Sequence, residues 1–427
     1  MIDAGTGRIT PTQWRALLAA WLGWAFDGLD GYLYVMVAKK FVRQLLADGN
    51  SPEALAAVPA SSVDEKAGII QAAFLVGWAL GGAIFGRLGD RFGRARTLTL
   101  TILTYAVFTG LACFATEWWH LLVFRFIAAL GIGGEWAAGC SLVSETLPAR
   151  HKTWASAALQ SGYMVGCILA VLTSRWMSQF DPRWVFIVGV LPAFVVLWIR
   201  KAVPEPEGWA AAAREQKPPP MSALFGPGLA KTTLMLTALT SIALTTVWAF
   251  LFYMPQVAAA IPEVAAAEAA RKGAAVEFAA NVSIAFFVVN IVGNFAGTYL
   301  AKWLGYRASF TIMILGAMAS FLIGFYNPAT KGSVYWMACS AAFFSLGLFG
   351  MFPMYIPPLF PVLVRTLGAG FTYNAGRLFS GVGALCGAWI TAHAGGPHKA
   401  IFWVGLLYIP GLIVALKCPL PPREETR

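Results

Sequence analysis

Long apolar runs follow one another along this chain, separated by short polar segments. A run of about 20 apolar residues is long enough to cross a bilayer as a helix. Such runs lie near 14–38, 67–88, 97–116, 119–144, 153–174, 184–202, 232–254, 280–301, 307–326, 334–352, 367–391 and 400–417. Open strands cannot satisfy their backbone in lipid, so the pattern predicts helices throughout. The expected fold class is an all-α membrane protein with twelve spans.

Residues 203–230 break the pattern with the proline- and charge-rich stretch "VPEPEGWAAAAREQKPPP". This predicts an N-terminal six-helix half (1–202), a linker (203–230) and a C-terminal six-helix half (231–427). A weak internal echo supports two halves. "GTYLAKWLGYR" (297–307) stands between the eighth and ninth spans as "GRLGDRFGRAR" (86–96) stands between the second and third, with Ala301 in the place of Asp90. In a second echo, Gln160, Gly162 and Tyr163 of the fifth span match Asn374, Gly376 and Arg377 of the eleventh. Repeats packed about a shared axis place a substrate site near the midplane between them. "PMYIPPLFP" after the tenth span cannot continue as regular helix. It predicts an irregular end to that span, with Pro353, Pro357, Pro358 and Pro361.

Composition agrees. The chain is 58% hydrophobic and 12% charged, against roughly 25% charged in soluble domains. Most of its 31 Lys and Arg residues fall in segments that face the cytoplasm if the N-terminus is inside. Both termini are then cytoplasmic, and the net charge of +11 is a topology signal rather than a nucleic-acid footprint. The first span carries Asp27 and Asp30 and has no signal-peptidase pattern. Cys113, Cys140, Cys167, Cys339 and Cys386 fall inside predicted helices, so no disulfide framework is indicated. The four histidines lack metal-ligand spacing, and no cofactor is implied. No nucleophile–base or His-Glu-x-x-His motif supports an enzyme, and no soluble signalling domain supports a receptor.

Charges inside the spans are expensive and point to function. They are Asp27, Asp30, Arg125, Glu135 and Arg377. Three acids and two bases cannot all cancel as ion pairs. An acid left over can stay neutral by carrying a proton, since burial penalises the charged form. At about 1.5 Å per residue, Asp30 and Arg125 share a level and can pair. Asp27 lies nearer the centre without an assigned partner. It is the first candidate proton carrier, with Asp30 as tuning partner and Glu135 as second candidate. Arg377 stands near the centre of the eleventh span, where a planar guanidinium offers a fork for a carboxylate. Tyr373 and Asn374 flank it. Arg125, Arg377, Asn374, Tyr373, Gln160 and Tyr163 form the candidate substrate site. Trp24, Phe26, Tyr32, Trp248 and Tyr253 are further candidates to line a cavity.

The segment 86–96 resembles the loop between the second and third helices of major facilitator transporters, through Gly86, Leu88, Asp90, Arg91, Gly93, Arg94 and Arg96. Asp90 lies at the C-terminal end of a helix, the wrong end for an anion. A nearby Arg or the N-terminus of another helix must compensate it. Gly86, Asp90, Arg91, Gly93 and Arg94 are therefore candidate gating residues. "QWRALLAAWLGWAFDGLD" (13–30), "GIGGEW" (131–136) and "VLPAFVVLWIRKAVPEPEGW" (190–209) resemble the sialate:proton symporter branch, which includes monocarboxylate permeases. The aromatic acid:proton symporters share the Asp-Gly-x-Asp pattern of 27–30. Ala129 stands where this resemblance usually has Gly, and "FTYNAGR" (371–377) is less stereotyped. The resemblance implies the major facilitator fold with two pseudo-twofold halves, a monomer in the inner (plasma) membrane, alternating access and proton-coupled uptake of a small organic anion. The fifth span lacks the Gly-Pro pair of many drug antiporters, which favours symport. Gly162 and Gly166, four apart, favour close helix packing. A proton-independent uniporter is the alternative, and lactate-sized, sialic and aromatic acids remain open as cargo.

Overall fold

The computed structural model describes residues 8–49, 51–177, 179–192, 194, 198–199, 202–326, 330–385 and 393–422. Nine helices among them are long and apolar enough to cross a membrane. They match the second to fifth, the seventh to tenth and the twelfth of the expected spans. The first span is one helix, Pro11–Leu46, opened by a capping box between Thr10 and Gln13. The described part of the sixth span starts with the short helix Val185–Val188. The eleventh is helical over Arg365–Asn374 and Gly376–Leu385. Residues 193, 195–197 and 200–201 of the sixth span and 386–391 of the eleventh, Cys386 among them, lie outside the described residues.

The second span, Ala60–Phe92, ends at Gly93, where φ is +110° and a side chain would be strained. The third, Arg94–Ala112, starts there. The echo at 297–307 has the same turn. Gly305, with φ +82°, closes Ala274–Leu304 and opens Tyr306–Gly324. In each turn the glycine N–H donates to the carbonyl four residues back.

Helices meet backbone to backbone where glycine removes the side chain. A Cβ on Gly166 of the fifth span, Ala149–Trp176, would lie 1.8 Å from the Ala25 carbonyl of the first. A Cβ on Gly81 would lie 2.1 Å from the Leu130 carbonyl of the fourth, Trp118–Thr146. The second and eleventh spans touch likewise, through Gly82 and Gly370.

The tenth span departs from the expected continuous helix. It is α-helical over Lys331–Ala341, π-helical over Ala342–Leu346 and 3-10 over Gly347–Met351, then helical again over Phe352–Tyr355. The irregularity thus starts well before the first proline. Gly350 presses on the eighth span, where a Cβ would sit 2.5 Å from the Asn294 carbonyl. Asn290 donates to the Ala342 carbonyl at 3.3 Å, satisfying a group at the start of the π segment. The twelfth span is also broken, into Pro397–Gly405 and Tyr408–Lys417. Pro410 there has no N–H to continue the first helix.

Candidate functional site

The buried charges separate into three groups. The first is Asp30 with Arg125. One guanidinium nitrogen of Arg125 contacts both Asp30 carboxylate oxygens, at 2.9 and 2.8 Å. The rings of Phe74 and Tyr34 lie 4.5 and 5.0 Å from its Cζ. Arg125 is thus enclosed and engaged with Asp30, and does not reach the Arg377 cluster.

The second group occupies the centre. Asp27, on the first span, and Glu135, on the fourth, are buried and face each other. No other group among the described residues hydrogen-bonds to either carboxyl. Glu135 reaches Asp27 across Gly23, one turn before it. A Cβ on Gly23 would fall 1.7 Å from a Glu135 oxygen.

Arg377 is buried on the eleventh span and donates to the Asn374 side-chain oxygen. Asn374 donates in turn to the Gly133 carbonyl at 3.1 Å and the Gly370 carbonyl at 2.8 Å. That fixes its amide, and through it the guanidinium, against the fourth span. The Arg377 Cζ lies 4.0 Å from the Trp78 ring centre and 5.1 Å from that of Tyr373. At such distances the ring quadrupole attracts the cation. Tyr373 stacks on Trp136 with centroids 3.7 Å apart and planes 10° apart. Trp136 donates to Gln160 at 3.3 Å. Trp24 packs on Tyr163 at 4.9 Å, and Trp78 meets Trp248 edge-on at 6.1 Å. Six spans therefore converge on one guanidinium in an aromatic enclosure. The sequence reading named Arg377, Asn374, Tyr373, Gln160, Tyr163, Trp24 and Trp248 but missed Trp78 and Trp136. Trp78 lies one helical turn before Gly82 on the interior face of its span, which was the available signal.

The third group latches the end of the molecule that carries 86–96. The Asp90 carboxylate accepts from the backbone N–H of Thr366 at 3.0 Å and Leu367 at 2.9 Å, donors of the first turn of Arg365–Asn374 that have no partner within the helix. Arg94 also lies 3.3 Å from it. Both compensations expected for Asp90 are therefore present. Arg94 grips Glu145 with two nitrogens, at 3.0 and 2.9 Å. It further donates to the Val362 carbonyl at 2.6 Å. Arg365 reaches Glu145 at 3.4 Å. Gly86 packs against Leu367, where a Cβ would lie 2.9 Å from its Cα. Glu205 accepts from the backbone N–H of Arg94, Ala95 and Arg96, capping the third span. Trp209 donates to the Asp90 carbonyl at 2.9 Å. Arg91 stands apart from this latch, exposed, with its guanidinium over Phe92. Glu145, Arg365, Glu205 and Trp209 were not anticipated. They come from distant segments, and only the acidic "PEPEGW" run hinted at them.

Toward the opposite end the contacts between the halves given by the described residues are neutral or exposed. Tyr32 donates to Ser283 at 3.3 Å and meets Phe287 edge-on at 5.1 Å. Arg175 donates to Asn281 at 2.7 Å. The central group is thus covered from both ends.

An enclosed site between bundled membrane helices, latched at one end and lightly closed at the other, defines a membrane transporter. The chain belongs to the Major Facilitator Superfamily, which it matches over residues 21–368. It is 28% identical to the sialic acid transporter NanX of Escherichia coli, over 88% of this chain and 87% of that protein. It is 26% identical to the niacin transporter NiaP of Acinetobacter baylyi, over 95% and 92%, and 28% identical to the cis,cis-muconate transport protein of the same organism, over 87% and 86%. In fold it resembles the proton:xylose symporter XylE bound to 6-bromo-6-deoxy-D-glucose, with a TM-score of 0.77 over 98% of this chain and 99% of that one, at 16% identity. The protein is a multi-pass membrane transporter and not an enzyme.

Proposed function

We propose that this transporter carries a small organic carboxylate together with protons, by alternating access between its halves 1–202 and 231–427, which the linker 203–230 joins. The observation that carries this reading is the buried Arg377, which has no acid within ion-pair distance among the described residues, beside the carboxyl pair of Asp27 and Glu135. An unneutralised guanidinium in an enclosed aromatic site attracts an anion, and its planar fork fits a carboxylate. Two facing carboxyls supply a place for a proton that travels with it. Asp27 is the main carrier, Glu135 shares the load, and Asp30, held by Arg125, tunes the pair. Arg377, Asn374, Tyr373, Gln160 and Tyr163 contact the substrate, and Arg125 joins them only when its pair with Asp30 opens. Gly86, Asp90, Gly93 and Arg94, with Arg91 at the rim, form the gate. The chain works as a monomer in the inner membrane with both termini in the cytoplasm, so the latch closes the cytoplasmic side.

The relatives that carry sialic acid, niacin and muconate support an organic acid as cargo. The aromatic enclosure favours a flat, ring-bearing acid over a lactate-sized one, because ring faces stack on ring faces. Uptake of labelled carboxylates into proteoliposomes tests the reading. Accumulation is expected only with an imposed inward proton gradient, and Arg377→Lys is expected to lose most affinity while inserting normally. Equal uptake with and without the gradient would assign the chain to the uniporters.

A further inference from the structure

Three N–H donors at the heart of this site have no acceptor. They are the indole nitrogens of Trp24 and Trp78 and Nε of Arg377, each buried among the described residues without a hydrogen-bond partner. Trp78 neighbours both of the other side chains. The rings of Trp24 and Trp78 lie 6.5 Å apart, and the Arg377 Cζ lies 4.0 Å from the Trp78 ring centre. The neighbouring tryptophan differs. Trp136 donates to Gln160. A buried donor without a partner costs free energy, so a cluster of three calls for an occupant that supplies acceptors. The acids nearby do not serve, since no donor among the described residues reaches Asp27 or Glu135.

A carboxylate on Arg377 uses Nε and leaves the two indoles. We infer that the transported acid carries a second hydrogen-bond acceptor, such as a ring nitrogen, a carbonyl or a further oxygen, and that Trp24 and Trp78 read it. This rests on the carboxylate reading of Arg377 and narrows it to acids with two separated acceptor groups. The indoles are then specificity residues. A site built to donate a hydrogen bond discriminates against an analogue without the acceptor, because the donor stays buried and unpaired.

Binding to the purified full-length protein in detergent, followed by calorimetry, tests this with acids matched in shape. The pairs are nicotinate with benzoate, and pyruvate with propionate. At least one acceptor-bearing acid should bind about tenfold more tightly than its partner. In Trp78→Phe or Trp24→Phe that ratio should fall toward one, through a larger loss of affinity for the acceptor-bearing acid than for its partner. The ratio compares two ligands on one variant, so a partial loss of folded protein does not affect it. Equal binding within every pair in the unaltered protein would overturn the inference and leave the carboxylate reading intact. A ratio that survives in both Phe variants would also overturn it. If no carboxylate binds at all, the carboxylate reading fails first, and the inference falls with it.

Discussion

A carboxyl in the middle of a membrane protein is costly unless something compensates it, and Asp27 and Asp30 are compensated differently. Asp30 has a base at 2.8 Å within a shell of rings. Removing Arg125 leaves that charge buried and alone. Arg125→Leu is expected to destabilise by about 3–5 kcal/mol, read as a large fall in melting temperature of the detergent-solubilised protein. A melting point like that of the parent would show that Asp30 does not need Arg125. Asp27 faces another acid instead, and two ionised carboxyls sharing a closed space repel, so one proton between them relieves the pair. Asp27→Asn fixes the relieved state. It should still exchange labelled for unlabelled substrate across a vesicle membrane, yet not accumulate it against a gradient; proton-driven accumulation by this variant would shift the role to Glu135. Of these two arrangements only the first was legible in the sequence. Counting residues along two antiparallel helices puts Asp30 and Arg125 at one depth. That Glu135 reaches Asp27 depends on the empty space at Gly23, which becomes visible only when helices pack.

At the scale of the helices, the apolar runs announce themselves, because lipid demands length and hydropathy that few other settings do. Where helices bend is less visible. The run 334–352 is apolar apart from Ser340 and Ser345, and its switch to π and 3-10 geometry accompanies Gly347 and Gly350 seated against the eighth span. Contact with a neighbour goes with it, and the residues of the run alone do not announce it. Glycine spacing is a better guide. Gly162 and Gly166, four apart, do mark a face in backbone contact with the first span. A larger side chain there has nowhere to go, since the nearest atom is a carbonyl and not a flexible chain end. Gly166→Val should push apart the two helices that carry Asp27 and Tyr163. We expect little correctly folded protein, measured as the monodisperse fraction on size-exclusion chromatography. A normal monodisperse yield with unchanged transport would mean the helices separate without consequence.

Across the whole molecule, the two closures of the central site are unequal. At one end a buried acid, Glu145, is shared by Arg94 and Arg365, and Asp90 is held by two backbone N–H groups of the eleventh span. At the other, the contacts described are a Tyr–Ser hydrogen bond, an aromatic edge and an exposed Arg–Asn hydrogen bond. Charge-assisted, buried hydrogen bonds are roughly twice as strong as neutral ones. The lightly closed end, the outer one in the proposed orientation, is therefore expected to open at lower cost than the latched one, which thiol labelling of the unloaded protein from each side would check. The motif 86–96 announced Asp90 and Arg94, and a helix-end acid had to find a positive partner. The partners themselves lie on three other segments, which no local pattern assembles. Asp90→Asn removes the charge that both Arg94 and the eleventh span hold, while leaving the Arg377 cluster untouched. A ligand with unequal affinity for two states shifts their populations, and so does a mutation that weakens the latch of one. We expect the variant to open more often on the latch side. A single cysteine at Ser156, whose hydroxyl now donates to the Gly350 carbonyl at 2.6 Å, reports this. It should react faster with a membrane-impermeant thiol reagent added to the face bearing the latch in the Asp90→Asn background, after the native cysteines are replaced. Addition of substrate should slow it again if binding closes the site. Equal labelling in the two backgrounds would reduce 86–96 to a topology signal and leave the gate to be found elsewhere.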